Sequence, residues 1–292
     1  MKTIIHCDDL GTTRQMTLRI LDCWRKGYLD GFSIIANGDA LSEVFFGLKE
    51  SSDREARIAV HLNLTEGRAI LKAEDLSLIA DSEGNLKCSF GRLLINGVLY
   101  TKRKKIELIR QIEKEWSAQM ETVVNTVRPR SVIAIDGHTH IHMIPFLFPI
   151  AAKLAVEQGI PEIRISNEPF YLSKEPKDSS SLNFGINIIK HLVLKLCVKK
   201  AKKVAYLKGL KSADAFIGIL YTGRMTATAA IAGIKAANKK HVQSVEVLFH
   251  IGRASHEEAV RWGKSPREGK FPLSEARDTE YGELIKFCKK WI

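Results

Sequence analysis

The sequence predicts an α/β protein of repeating βα units, built on a parallel sheet or (β/α) barrel. Short, β-branched apolar runs recur along the chain, and segments of helical periodicity separate them. Titratable residues gather where the runs end, as functional groups do at the carboxyl ends of strands in parallel sheets and barrels.

Seven runs read as strands: 3–7 (TIIHC), 32–36 (FSIIA), 57–62 (RIAVHL), 131–135 (SVIAI), 162–166 (EIRIS), 215–220 (AFIGIL) and 243–249 (QSVEVLF). The helical period is clearest over 104–127, where Ile106, Ile109, Ile112, Trp116, Met120, Val123 and Val127 recur every three or four residues. Helices are also expected over 12–26, 40–49, 145–158, 185–207, 226–238 and 279–291. The stretch 64–102, with DSEGN and INGV, is irregular and long for a βα connection, and reads as a lid or binding insertion. No Pro/Gly linker or low-complexity tract marks a boundary, so residues 1–292 are expected to form a single domain.

The five cysteines, at positions 7, 23, 88, 197 and 288, form no CxxC pair and are odd in number, which disfavours a zinc ribbon or a disulfide framework. The N-terminal apolar run is too short for a signal peptide, and no stretch approaches the roughly 18 apolar residues of a membrane span. A reducing, cytoplasmic setting is the expectation. The net charge of +12 points to an acidic partner. It is concentrated in the basic segment 185–211, where Lys190, Lys195, Lys199, Lys200, Lys202, Lys203, Lys208 and Lys211 meet no acidic residue. Apolar residues interleave with these lysines as in a helix lying on an anionic membrane surface, and a solvated helix face is the plain alternative.

At the run ends stand Asp8 and Asp9, His61 in VHLNLTEG, the histidines of DGHTHIHM, Arg164, and His250 in VEVLFHIG. Carboxylates are seldom buried without partners, and a divalent cation shared with two imidazoles provides one. One carboxylate and two histidines with open positions suit Zn²⁺ or another transition ion, whereas magnesium prefers more oxygen ligands. GxGxxG at the first βα turn, GxxxxGK[ST] and GxSxG are all absent, which disfavours those nucleotide-binding and nucleophile-elbow chemistries.

HCDDLG, VHLNLTEG, DGHTHIHM followed by PFLFPIAAKLAVEQGI, and SVEVLFHIG together resemble the YdjC-like carbohydrate deacetylases, the family that includes chitooligosaccharide deacetylase. The resemblance covers Met1 to about Gly252. It implies a polysaccharide-deacetylase-like (β/α) barrel, incomplete with about seven strands, that hydrolyses the acetyl group from an N-acetylated sugar with a divalent metal, usually magnesium. By position it makes Asp9, His61 and His138 the metal ligands, Asp8 the general base and His250 the general acid. The chain departs from the family's NADDFG at His6, Cys7 and Leu10, and has Ile251 where proline commonly follows the last histidine.

Arg164, His140 and Gly223, the last in ILYTGRMT, are candidate substrate contacts, and Asp136 is a candidate to orient a ligand imidazole. Arg164 has the alternative of pairing with a barrel carboxylate, Asp8 that of capping the first helix, and His140 or His142 that of replacing His138 as ligand. Cys7 reads as a small buried hydrophobe. A lipid- or diphosphate-linked sugar and peripheral contact with an anionic membrane would suit the lysine-rich segment. A metal-dependent phosphoesterase is the alternative enzyme. A non-catalytic nucleic-acid binder is disfavoured because the lysines lack interleaved aromatics, and a homo-oligomer stays open.

Overall fold

The computed structural model describes residues 1–175, 182–262 and 273–291. The strands are β1 (Lys2–Leu10), β2 (Gly31–Ile34), β3 (Arg57–Leu62), β4 (Ala134–Gly137), β5 (Glu162–Ile163), β6 (Ala215–Ile217) and β7 (Ser244–Phe249). They form one parallel sheet in the order β5-β4-β3-β2-β1-β7-β6. The sheet curls until its edges touch: Ile163 N donates to the Lys211 carbonyl at 2.9 Å, and Phe216 N to the Asn167 carbonyl at 3.2 Å. Isolated contacts replace a full ladder there, which makes the fold an incomplete barrel.

The helices are α1 (Arg14–Arg25), α2 (Leu41–Lys49), α3 (Phe90–Leu99), α4 (Lys102–Val127), α5 (Phe148–Glu157), α6 (Leu182–Leu207), α7 (Ala227–Asn238), α8 (His256–Trp262) and α9 (Ala276–Trp291). Their apolar stripes, such as Ile20, Leu21 and Trp24 on α1 or Ile112, Trp116 and Met120 on α4, pack into the core. The fifth predicted run keeps strand pairing only over Glu162–Ile163; beyond it, Ile165 N turns to the Ser212 hydroxyl at 3.2 Å.

Within the irregular stretch 64–102 lies α3, begun by the Ser89 hydroxyl, which accepts from Arg92 N. Gly91, Asn96 and Gly97 dilute its helical pattern in the sequence. The rest of the stretch is tied to a polar stripe on α4. Gln111 accepts from Leu78 N at 2.9 Å, Glu115 from Ile70 N at 2.9 Å and Leu71 N at 3.1 Å, and Gln119 from Asn63 N at 2.9 Å. Spaced four apart on one helix face, these side chains give irregular backbone the partners a strand neighbour would have supplied.

Barrels of this kind usually fill their interior with branched apolar side chains. Here His6, Ser33, His61, Asp136, Arg164 and Glu246 are all buried and linked to one another. That polar interior underlies the site.

Candidate active site and metal centre

A regular strand sends adjacent side chains to opposite faces, so Asp8 and Asp9 should diverge. They do not, because β1 pairs Cys7 with Phe32 and Leu10 with Ile34 and so carries one residue more than β2 between those positions. Asp9 takes up the excess with φ of 70°, a left-handed conformation that Asp tolerates better than most residues. The bulge brings both carboxylates to the wall of one cavity of about 200 Å³. A loop clamps the turn that follows: Ala40 N donates to the Gly11 carbonyl at 3.0 Å, and a Cβ on Gly38 would lie 2.0 Å from that same oxygen. Thr13, not Asp8, caps α1.

Asp9 Oδ1, His61 Nε2 and His138 Nδ1 form a triangle with edges of 3.5, 3.1 and 3.3 Å. Donors about 2.0–2.2 Å from a tetrahedral ion stand about 3.3–3.6 Å from one another, so the triangle, two of whose edges fall in that range and the third just below it, is close to the size that would hold a divalent cation. His61 Nδ1 lies 2.6 Å from Asp136 Oδ1, which fixes the ring and leaves Nε2 toward the triangle. Asp136 thus orients His61, not the nearer-in-sequence His138. The other Asp9 oxygen accepts from Arg277 at 2.6 Å, and His138 Nε2 faces Glu66 at 3.6 Å. Burial disfavours the imidazolium of both histidines, but the surrounding carboxylates outweigh it and raise His61 to about 10 and His138 to about 9.

The strand ends at Gly137, and Thr139 and His140 adopt φ of 53° and 61°, so the three histidines of HTHIH do not share a strand face. His138 enters the triangle. His140 lines the cavity with Nδ1 on the Ser166 hydroxyl at 2.9 Å. His142 lies behind, its Nε2 on the Arg164 carbonyl at 3.0 Å, and burial pushes it down to about 4.

His6, Asp8 and Asp136 also converge, yet a cation already stands among them. The Arg164 guanidinium donates to both Asp8 oxygens at 2.9 Å and lies 2.8 Å from Asp136 and 2.6 Å from Glu246. Burial opposes ionisation of Asp8, but Arg164 and His61 prevail and hold its carboxyl well below the usual range. Arg164, a candidate substrate contact with carboxylate pairing as its alternative, is buried, and its guanidinium is engaged by three carboxylates, Asp8, Asp136 and Glu246. Gly223 lines a neighbouring pocket, and Thr222 lines both that pocket and the cavity. Cys7 is buried, and burial pushes its thiol well above the usual range.

His250 stands on the cavity wall. Its amide donates to Glu280 at 2.6 Å, and burial pushes the ring down to about 4. Lys190 of α6, read from sequence as one of many surface lysines, lines the same wall, and desolvation lowers its amine to about 8. Arg277 and Glu280 on α9 had no motif to reveal them.

These shifts set a pH dependence of stability. Burial raises Glu168 to about 7 and Glu280 to about 8, so the folded chain holds protons that the unfolded chain releases near 4.5. Their contribution is complete below 4.5 and is lost as pH rises through 7 and 8; the raised His61 and His138 lose theirs above 6.5, in the same direction. His142 and His250 work oppositely, but only between about 4 and 6.5. The thermal midpoint of the metal-free protein is therefore expected to fall from pH 6.5 to pH 8, and a rise over that interval would contradict the assignment.

A profile of the YdjC-like protein family matches residues 2–286. The chain belongs to that family. Similar proteins include a carbohydrate deacetylase of Clostridium beijerinckii, 27% identical over 162 residues, covering 55% of this chain and 59% of that protein. A chitooligosaccharide deacetylase of Escherichia fergusonii is 27% identical over 200 residues, covering 66% and 73%. The match spans about three fifths of the length of the Clostridium protein and of a carbohydrate deacetylase from Brevibacillus brevis, at 59% and 58%. A solved structure from Enterococcus faecalis V583, named for cellobiose-phosphate cleavage, superposes with a TM-score of 0.61 at 18% identity, covering 97% of this chain and 94% of that one. At that identity it speaks for the shared fold alone.

Proposed function

We propose that this YdjC-like chain is a metal-dependent hydrolase that removes the acetyl group from an N-acetylated sugar. The observation that carries the reading is the donor triangle of Asp9, His61 and His138, open to a cavity that also presents Asp8 and His250. The names of its relatives supply the substrate class.

Asp9, His61 and His138 would hold a divalent cation, magnesium by family resemblance and zinc by donor type, which when bound would supply Lewis acidity toward the acetyl carbonyl and a water. Arg164 keeps Asp8 ionised, the form a proton acceptor needs, and fixes its direction toward the cavity. His250 is neutral before reaction, so the proton that Asp8 takes from the attacking water is the one that reaches the departing nitrogen, with the His250 imidazole on the same cavity wall accepting it and passing it on. His140, Thr222 and Lys190 line the space where the sugar is held.

Two measurements test this. Incubation with N-acetylglucosamine, its oligomers and sugar phosphates, with Mg²⁺, Zn²⁺, Co²⁺ or Mn²⁺, is expected to release acetate; release of phosphate alone would instead make the chain a phosphoesterase. Because His61 and His138 carry protons in the metal-free chain, binding of Zn²⁺ at pH 7.5 should expel about two protons, read by calorimetry in buffers of different ionisation enthalpy. Metal uptake without proton release would place the ion elsewhere.

A further inference from the structure

The catalytic cavity opens into a larger groove of about 620 Å³, and Glu66, Thr139 and Lys190 line both. Its walls come from two helices, with Phe90 and Gly91 at the start of α3 on one side and Ile186, Ile189 and Val193 of α6 on the other. Most of that lining is apolar, which a free, hydroxyl-rich sugar does not require.

Apolar surface continues outward along both helices. On α6, Ile189, Leu192 and Leu196 share one outward stripe and are 65%, 57% and 84% exposed. On α3, Ile95 and Val98 follow Gly91 on the groove side at helical spacing, and Val98 and Leu99 are 81% and 73% exposed. Exposed apolar surface of this extent marks a binding face. Each stripe leads into exposed cations: Lys199, Lys200, Lys202 and Lys203 on α6, and Lys102, Arg103 and Lys104 at the start of α4. No acidic residue interrupts α6. Apolar side chains backed by cations on two helices beside one opening match a bilayer surface of anionic headgroups over hydrocarbon.

We propose that the groove holds the hydrocarbon chain of a lipid-linked N-acetylated sugar, which the protein takes from an anionic membrane surface while the sugar occupies the catalytic cavity. The proposal rests on the deacetylase reading for the sugar, and on the groove and the two basic apolar helices for the chain. Glu66, Thr139 and Lys190 then mark the junction of sugar and lipid, with the Lys190 amine available to an anionic linkage.

Binding and turnover test it separately. In calorimetry below the micelle threshold, dodecyl N-acetylglucosaminide is expected to bind at least about tenfold more tightly than the methyl glycoside, because each buried methylene adds affinity. Ile189→Asp should abolish that difference, and equal affinity of the two glycosides for the wild type would overturn the proposal. Vesicles containing phosphatidylglycerol should retain the protein at low salt while phosphatidylcholine vesicles do not. Leu192→Asp/Leu196→Asp should release it without changing turnover of the methyl glycoside; failure of the anionic vesicles to retain the wild type would also overturn it. If the dodecyl glycoside binds preferentially yet neither glycoside yields acetate, the deacetylase reading fails and the groove assignment stands.

Discussion

Replacing Arg164 with methionine is expected to destabilise the fold by about 3–5 kcal/mol at neutral pH, with the loss shrinking in acid. The guanidinium is the shared counter-ion of Asp8, Asp136 and Glu246, all within 2.9 Å and all buried. Methionine fills much of the volume but removes that cation, and with burial of Asp8 and Asp136 no longer opposed by it, the folded pKa values of these two carboxyls are expected to rise above the unfolded ones. A raised carboxyl pKa gives stability at low pH that disappears as pH rises, so urea unfolding at pH 7 and pH 5 should show the gap from wild type narrowing on acidification. Arg164→Lys keeps a charge but not the planar fork that reaches several oxygens at once, and should fall between the two. Wild-type stability of the methionine variant at pH 7 would show that the barrel does not depend on this network.

The second large effect separates proton transfer from metal binding. Asp8→Asn is expected to retain bound metal and to lower the rate of acetate release by about 10²–10⁴-fold, the usual scale for loss of a general base. His61→Ala removes a donor of the triangle and leaves Asp136 without its imidazole partner, so both metal content and turnover should be lost. Metal analysis beside acetate release distinguishes the two. Full turnover by either variant would remove that residue from its proposed role.

The βα rhythm of the sheet was legible because strand runs and amphipathic helices obey different periods, and each of the seven runs contains strand. Helix α3 was hidden because Gly91, Asn96 and Gly97 dilute its pattern, while the loop around it is organised by Gln111, Glu115 and Gln119 from another part of the chain. The acids and histidines of the site stood out because they end apolar runs, where a charge needs a reason. The partners that settle their geometry gave no such signal. Arg277 meets Asp9 across almost the whole chain, Glu280 sits in an ordinary amphipathic helix, and Lys190 was one lysine among many. Arg164 was singled out with pairing to a barrel carboxylate as its alternative, but sequence offered no means of knowing that the partners are Asp8, Asp136 and Glu246 on other strands. The bulge that turns Asp8 and Asp9 together was equally invisible, since an unpaired residue is defined by the neighbouring strand.

The position of β1 also has a consequence for how the molecule is made. It lies between β2 and β7, and its register with β7 runs from Lys2 beside Ser244 to Cys7 beside Phe249. On a ribosome adding about 5–20 residues per second, one edge of β1 therefore waits on the order of tens of seconds for its neighbour to be synthesised. During that interval the backbone of Ile4 and Ile5 is open to any passing strand, the situation in which nascent sheets mispair. The segment that carries both carboxylates is translated well before the strand that encloses it.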